Sequence, residues 1–482
     1  MEKNSSTEKG EMVEEPLLLH NSETQKGGLR TLPFILGNAV LMNAATAALT
    51  PNMILYLMNE YHMDMTTGSN IIYIWSAVTN IAPVVGAFMA DSFVGRFQTI
   101  GLGSVVTLVG MFLFWLTSVI PQARPPPCVD SNNICRSAEM FQLFFLCFSL
   151  GIVAIGAVVV AAYRNRCLRL SSESADILYH RNKGSTIVRP SEKLRFLNKA
   201  CIVQDPQLDL SPDGEATDPW RLCTVDQVEE LKALLKVVPI WLTGVVLAIN
   251  ISQSSFPVLQ AKTMDRHIGS TFEIPAGSFG IFIVISGILW IVLYDCLILP
   301  VASKLTGKPV HFSTKQRMGF GLVLSFLSVL VVAVVEGVRR SIAIKQGHSD
   351  DPEGVIPMSA AWLLPQNCLT GFAEALNAIG QNEFYISEFP RSMSSIAASL
   401  IGFGMGVGNL LASFLMNTIN DLTKGEGQES WISSNINKGH YDCYYMVLAG
   451  FSLVNMLCYI VCSRAYGPCK GEEEEVMEEE DP

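Results

Sequence analysis

A few ionisable residues stand inside long apolar stretches of this sequence, and they are its strongest candidates for chemistry. Glu374 lies midway along the apolar segment 358–380. A carboxylic acid is costly to ionise among apolar side chains, so it can exchange a proton or bind a charged group of a solute. We predict this role for Glu374. The alternative is a structural hydrogen bond to a neighbouring helix.

Further charged residues lie near the ends of such segments. Lys236 stands where one of them begins. It can form a gating salt bridge, or it can extend its ammonium group to the lipid headgroups. Asp295 lies near the end of another, and we expect it to be structural. Glu336 and Glu383 are expected to contact water at segment ends.

Uncharged polar residues recur in the same segments and are candidates to line a solute path. Asn43, Asn250, Gln253 and Asn377 can each hydrogen-bond a polar solute. Such side chains also bond one helix to another, so both roles stay open for each of them. None of the seven histidines lies deep in an apolar segment, which argues against an imidazole switch inside a pore.

The composition places these residues in a lipid bilayer. Of 482 residues, 49% are hydrophobic and 16% are charged, whereas soluble proteins carry about 25% charged residues. This excludes a secreted disulfide module, a disordered protein and a nucleic-acid binder. No catalytic or metal-ligand spacing indicates an enzyme or a cofactor. A membrane span needs about 20 mostly apolar residues, and these segments qualify: 32–58, 69–90, 97–119, 140–162, 235–256, 276–300, 318–338, 358–380, 393–416 and 442–463.

The segments divide the chain into two helical lobes. We predict a disordered cytosolic N-terminus over 1–31, an N-terminal lobe of four spans over 32–162, a cytosolic linker over 163–234, a six-helix lobe over 235–463 and an acidic cytosolic tail over 464–482. The distribution of Lys and Arg favours cytosolic N- and C-termini.

Two short features add local expectations. Cys128 and Cys135 flank a polar loop between two spans and form a plausible disulfide if that loop is not cytosolic. The glycine run from Gly402 to Gly408 lies inside a predicted span, where small residues let helices approach closely. We therefore interpret the run as a helix-packing surface rather than a nucleotide-binding loop.

The loop between the second and third spans has the sequence Gly86-Ala-Phe-Met-Ala-Asp91-Ser-Phe-Val-Gly95-Arg96. Its glycines permit a tight turn, and Asp91 can bond the N-terminus of the next helix or a nearby cation. Arg96 would sit at the cytosolic face. The segment resembles the loop signature of the major facilitator superfamily, which implies that it steadies one closed state of the molecule.

Longer segments around the linker carry a more specific resemblance. Val160-Ala-Ala-Tyr-Arg-Asn-Arg166, Val238-Pro-Ile-Trp241, Gln260-Ala-Lys-Thr-Met-Asp-Arg266 and Gly380-Gln-Asn-Glu-Phe384 resemble the plant nitrate/peptide transporter family, the proton-dependent oligopeptide transporters. The resemblance implies an all-α membrane protein with the major facilitator superfamily fold. It also implies symport of protons with a small polar solute such as nitrate, a small peptide or an organic anion. The position of Glu374 would face the substrate cavity.

The sequence departs from this family in two places. The family carries E-x-x-E-R/K in its first span, where this chain has Ala39, Met42 and Asn43. Near Gly156 the sequence passes from the family's fourth span to the end of its sixth, so about ten spans are expected instead of twelve. An uncoupled facilitator and a non-transporting membrane receptor or remnant therefore remain alternatives. The membrane is expected to be the plasma or the vacuolar membrane, and the sequence leaves the oligomeric state open.

Overall fold

The computed structural model describes residues 49, 52–89, 96–125, 138–139, 141–150, 201, 224–268, 272–307, 312–390, 393–425 and 429–469. All of them belong to one compact unit that begins at Leu49. The predicted N-terminal segment, most of the linker and most of the acidic tail lie outside the described residues.

The described part of the chain is mostly helical, which confirms the all-α class. Helical turns over 52–60 and 141–150 accompany ten longer or better delimited helices. Their bounds are α1 Met65–Met89, α2 Arg96–Val119, α3 Val225–Ile251, α4 Ser255–Lys262, α5 Ile281–Leu293, α6 Leu299–Thr306, α7 Thr314–Lys345, α8 Leu364–Glu388, α9 Ser394–Thr423 and α10 Tyr441–Tyr466. A π-helical turn, Tyr294–Ile298, joins α5 to α6.

Local sequence explains where two of the long helices begin. Thr224 and Gln227 form a capping box at the start of α3, and Ser313 and Gln316 form another at the start of α7. In each box the hydroxyl and the glutamine side chain satisfy backbone N–H groups that have no partner within the helix. α3 thus begins at Val225, ten residues before the predicted span 235–256.

Five stretches of the described residues are long and apolar enough to cross a membrane. They are Val225–Lys262, Ala276–Leu305, Thr314–Lys345, Ile396–Thr423 and Tyr441–Tyr466. These coincide with predicted spans. Helices α1, α2 and α8 also form where spans were predicted, but their membrane crossing and the total of about ten stay predictions.

The glycine run of α9 packs against two different helices. Gly402 faces α1, where an added Cβ would lie 3.2 Å from the Asn80 carbonyl oxygen. Gly404 faces α3, where an added Cβ would lie 3.2 Å from the Trp241 indole nitrogen. The pattern repeats one turn later, because Gly406 faces Ile81 of α1 and Gly408 faces Ala248 of α3. The predicted packing role is confirmed, and α9 joins the N-terminal part of the chain to the C-terminal part.

Short strands organise one end of the bundle. β1 (Met264–Asp265) pairs in parallel with β4 (Ile356–Ser359). β2 (His267–Ile268) pairs antiparallel with β3 (Phe272–Glu273). Met264 and Ile356 are buried, so the β1–β4 pair closes this end over α7 and places Thr263 beside it.

Candidate functional site

Glu374 lies in the middle of α8, which is packed closely between two other helices. On one side an added Cβ at Gly287 of α5 would lie 3.3 Å from the Gly371 carbonyl oxygen. On the other, an added Cβ at Gly321 of α7 would lie 3.1 Å from the Ala373 carbonyl oxygen. The Glu374 side chain is partly buried. Among the described residues, none gives it a hydrogen bond or a neighbouring cation.

Asn377, one turn after Glu374, is engaged in helix bonding. Its amide nitrogen donates to the Met318 carbonyl oxygen at 3.3 Å, and its amide oxygen accepts from Gln381. The Asn377 side chain is buried. The structure therefore shows Asn377 bonding one helix to another, and its contact with a solute stays a prediction.

Asn250 and Gln253 are engaged in the same way near the end of α3. The Asn250 amide nitrogen donates to the hydroxyl groups of Ser325 at 3.0 Å and Ser452 at 2.8 Å. These bonds tie α3 to α7 and α10. The Gln253 amide oxygen accepts from the Tyr73 hydroxyl at 2.9 Å and the Tyr444 hydroxyl at 3.0 Å, so it joins α1 to α10.

More neutral hydrogen bonds hold α1 at the same end of the bundle. The Asn70 amide donates to Asn417 at 2.7 Å and accepts from Ser413 at 2.6 Å, both on α9. The backbone N–H of Met65 donates to the Ser434 hydroxyl at 3.0 Å. We call this the loop end of the bundle: the start of α1, the end of α3 and the loop 429–440.

Lys236 forms a salt bridge, as one of its two predicted roles requires. Its ammonium nitrogen lies 3.3 Å from Glu388 Oε2 and 3.9 Å from the centre of the Tyr466 ring. The Tyr466 hydroxyl donates to the same carboxylate at 2.6 Å. The three residues belong to α3, α8 and α10, which all lie in the C-terminal part of the chain. Because these contacts do not reach the N-terminal part, a gating role for Lys236 stays a prediction. Glu388 was not among the residues predicted from the sequence.

The expectation that Glu336 contacts water is wrong. Its side chain is 0% exposed, and Arg339, one turn along α7, binds both carboxylate oxygens at 2.8 Å. Gln260 of α4 adds a third hydrogen bond at 2.9 Å. The guanidinium also reaches Thr263 at 3.0 Å and Asn437 at 2.7 Å, because the loops fold over this end of α7.

Glu383, by contrast, is exposed as expected. Its side chain is 48% exposed and pairs with Arg317 at 2.6 Å. The Asp295 backbone lies within the π-helical turn, Gly86 lies inside α1 and Arg96 is the first residue of α2. The remaining predicted positions lie outside the described residues: Ala39, Met42, Asn43, Asp91, Gly95, Cys128 and Cys135.

Comparison with known proteins places this arrangement in a family. The family model described as "PTR2: POT family" matches residues 157–432. Protein NRT1/PTR family 1.2 of Arabidopsis thaliana is 41% identical, over 92% of this chain and 90% of that protein. Protein NRT1/PTR family 1.3 of the same plant is 38% identical, over 95% of this chain and 100% of that protein.

Solved structures show the same fold. An auto-inhibited POT family peptide transporter matches with a TM-score of 0.58 at 16% identity, over 91% of this chain and 98% of that chain. The POT family transporter PepTSo matches with a TM-score of 0.58 at 14% identity, over 91% of this chain and 99% of that chain. Both confirm the major facilitator type of fold.

The alignment lengths bear on the predicted shortening. The alignment with family 1.2 runs over 546 positions although this chain has 482 residues, so segments of that relative have no counterpart here. The alignment with family 1.3 runs over 502 positions and covers all of that protein. The predicted family resemblance is thus confirmed, and this chain belongs to the POT family of membrane transporters and is not an enzyme.

Proposed function

We propose that this chain carries a small polar solute across its membrane, with Glu374 as the ionisable group that binds a proton or the solute's charge. One observation supports this most strongly. Glu336 and Glu388 are the buried carboxylates of the described residues, and each has a cation beside it. Glu374 has none. An unpaired carboxyl inside a membrane protein is a functional site by default, because it costs stability without a structural return.

The solute class follows from the relatives. Solved POT family transporters hold alafosfalin in one case and 5-aminolevulinic acid in another. The two structures compared above are both POT family transporters, and the auto-inhibited one is a peptide transporter. We infer that this chain takes nitrate, a small peptide or an organic anion, since each is small, polar and able to interact with a titratable carboxyl.

Transport requires the two parts of the chain to separate at one end and then at the other. The loop end is held shut by neutral hydrogen bonds from Asn70, Tyr73 and Met65 of α1. With both termini in the cytosol, the loop end faces away from the cytosol.

The proposed fold has about ten spans and is shortened within the N-terminal lobe. Protein NRT1/PTR family 1.3 supports a short form, because its whole length aligns with this chain over 502 positions.

Transport without coupling to protons is the alternative to symport. Ala39, Met42 and Asn43 stand where the family has the three ionisable residues of its first span, which favours a facilitator that does not use the proton gradient. Glu374 would then serve only to bind solute charge.

Uptake into proteoliposomes that hold the purified chain tests both versions. The probes are nitrate, dialanine and 5-aminolevulinic acid, supplied at about pH 5.5 or about pH 7.5 outside with the membrane potential clamped. Accumulation of one probe above equilibrium at acid pH, abolished by a protonophore, supports symport. Equal, equilibrating uptake at both pH values supports the facilitator. A monodisperse protein that moves none of the three probes contradicts the proposal and favours a receptor.

A further inference from the structure

His440 lies at the loop end between a cation and a carboxylate. Its Nε2 atom is 3.1 Å from a guanidinium nitrogen of Arg340 on α7. Because a guanidinium can only donate, Nε2 accepts this bond, and the imidazole is neutral with its proton on Nδ1. Donor atoms of His440, Asp442 and Cys443 all lie within 4.8 Å of one another.

A metal ion is the first ligand that this trio suggests, and its surroundings argue against one. The Arg340 guanidinium occupies Nε2 of His440. The residues also stand at the first turn of α10, where the positive end of the helix dipole repels a cation. A proton fits the site better than a metal ion. It can bind Nε2 of His440, the atom that accepts from Arg340, and the Asp442 carboxylate nearby can stabilise the resulting imidazolium.

His440 also connects two contacts that hold α1. Its backbone N–H donates to the Trp431 carbonyl oxygen at 2.9 Å, which closes the loop 429–440. That loop carries Ser434, the acceptor for Met65 at the start of α1. The His440 carbonyl oxygen accepts from the backbone N–H of Tyr444 at 3.1 Å, and the Tyr444 hydroxyl binds the Gln253 amide that Tyr73 of α1 also binds.

We propose that His440 is a proton-binding site, and that its protonation breaks its contact with Arg340, one of the contacts that hold the loop 429–440 to α7, and so loosens the hold on α1. Arg339 continues to bind Asn437 and the Ile436 carbonyl oxygen of the same loop. An imidazolium cannot accept from Arg340, and two cations at this distance repel each other. The imidazolium has an acceptor nearby, since Asp442 Oδ1 is buried without a hydrogen bond and an Asp442 carboxylate oxygen lies within 4.8 Å of a ring nitrogen of His440. Histidine is the side chain whose ordinary charge change falls between about pH 5 and pH 8.

Other charged groups near this loop are already compensated. On α7, Glu336 and Arg339 bind each other. In the loop, Lys438 binds Asp350 at 3.0 Å and Glu429 at 3.2 Å. In the second network, the hydrogen bond from Ser433 and the contact with Lys438 lower the pKa of Glu429, and the contacts with Asp350 and Glu429 raise the pKa of Lys438. Both groups therefore stay charged between about pH 7.5 and about pH 5.5.

One other histidine near the loop behaves differently. His348 lies 3.8 Å from Asp351, so its protonation strengthens an existing attraction instead of breaking a bond. The proposal assigns acid sensitivity to the contact between His440 and Arg340. It rests on the proposed function only in taking the loop end as an entrance for solute, and it does not involve Glu374.

Hydrogen exchange measured by mass spectrometry on the purified chain in nanodiscs tests the proposal without any transport assay. The readout is the protection of residues 429–440 at about pH 7.5 and about pH 5.5, corrected for the intrinsic rate of exchange. We expect acid to lower this protection by roughly fivefold in the unaltered chain. His440→Gln keeps an acceptor for Arg340 at both pH values and should show no acid response. His348→Gln is the matched control and should respond like the unaltered chain.

Two further variants keep the test decisive. Arg340→Gln retains the titrating imidazole but removes the cation, so the acid response should shrink even if His440→Gln is poorly folded. Glu374→Gln should leave the response unchanged, which separates this inference from the transport proposal. The inference is overturned by an unaltered chain that shows no acid response. A full response in either His440→Gln or Arg340→Gln overturns it as well.

Discussion

Glu336 and Glu374 are carboxylates on two helices that pack directly against each other, yet their surroundings are opposite. Glu336 is fully buried and receives hydrogen bonds from Arg339 and Gln260 on both oxygens. Glu374 is partly buried, and no described residue bonds to it. A saturated carboxylate fixes structure, whereas an unpaired one keeps its capacity to bind a proton or a ligand. The difference separates the structural network around Glu336 from the proposed functional site at Glu374 in the middle of α8.

Disrupting the buried network of Glu336, Arg339 and Gln260 should have the largest effect on stability. Arg339→Met leaves the Glu336 carboxylate buried without its cation, and we expect the free energy of unfolding to fall by about 3–5 kcal/mol. Denaturation in mixed micelles measures it. The double variant Glu336→Met with Arg339→Met should recover most of the loss, because no charge then remains buried. An Arg339→Met protein as stable as the unaltered chain would contradict the structural assignment.

A smaller loss is expected from the edge of the same network. Gln260→Leu removes one hydrogen bond to the Glu336 carboxylate, and this should cost about 1–3 kcal/mol of unfolding free energy. Gln346, exposed where α7 ends, provides the matched control. Gln346→Leu should leave the unfolding free energy nearly unchanged in the same assay. Equal losses from the two substitutions would show that burial in the network is not the cause.

The functional region should respond weakly in the same measurement. Glu374→Gln removes a charge but no hydrogen bond or ion pair seen in the structure, so the free energy of unfolding should change by less than about 1 kcal/mol. A loss as large as that of Arg339→Met would mean that Glu374 has a structural partner. The comparison between the two carboxylates would then fail.

The smallest effect is expected at an exposed carboxylate of the loop end. A hydrogen bond from the Ser433 hydroxyl, with Lys438 nearby, holds the pKa of Glu429 below its ordinary value. A lowered pKa in the folded state stabilises the protein at pH values above the ordinary pKa of glutamate, and this stabilisation is lost as the pH falls through the lowered folded-state pKa. Glu429 is 51% exposed, so solvent screening limits the effect of Glu429→Gln to at most about 0.5 kcal/mol. Unfolding at about pH 7 and about pH 3.5 should show the variant losing less stability on acidification.

Helix starts and packing surfaces were accessible from the sequence because their causes are local. The capping residues Thr224 and Ser313 stand within three residues of the glutamines they pair with. The glycine run predicted close packing, since only backbone atoms and hydrogens occupy those positions. Its partners on α1 and α3 are far away in the chain, and only the structure reveals them.

Site residues were harder to predict because their partners are distant or were overlooked. Lys236 and Glu388 are 152 residues apart, and nothing local in the sequence connects them. Asn250 bonds two serines on different helices, an outcome that composition leaves open. Glu336 and Arg339 are different, because their spacing of three residues places both on one helix face. That spacing was the available sign that Glu336 is paired and buried.

The most direct test of the central claim is acid-driven uptake by Glu374→Gln, compared with Glu383→Gln on the same helix. Glu383 is exposed and paired with Arg317, so its loss should leave the pH dependence of uptake intact. Proteoliposomes loaded with each variant should be supplied with whichever probe the unaltered chain accumulates at acid pH. We predict that Glu374→Gln loses accumulation above equilibrium while Glu383→Gln keeps it. Full acid-stimulated accumulation by Glu374→Gln would contradict the account.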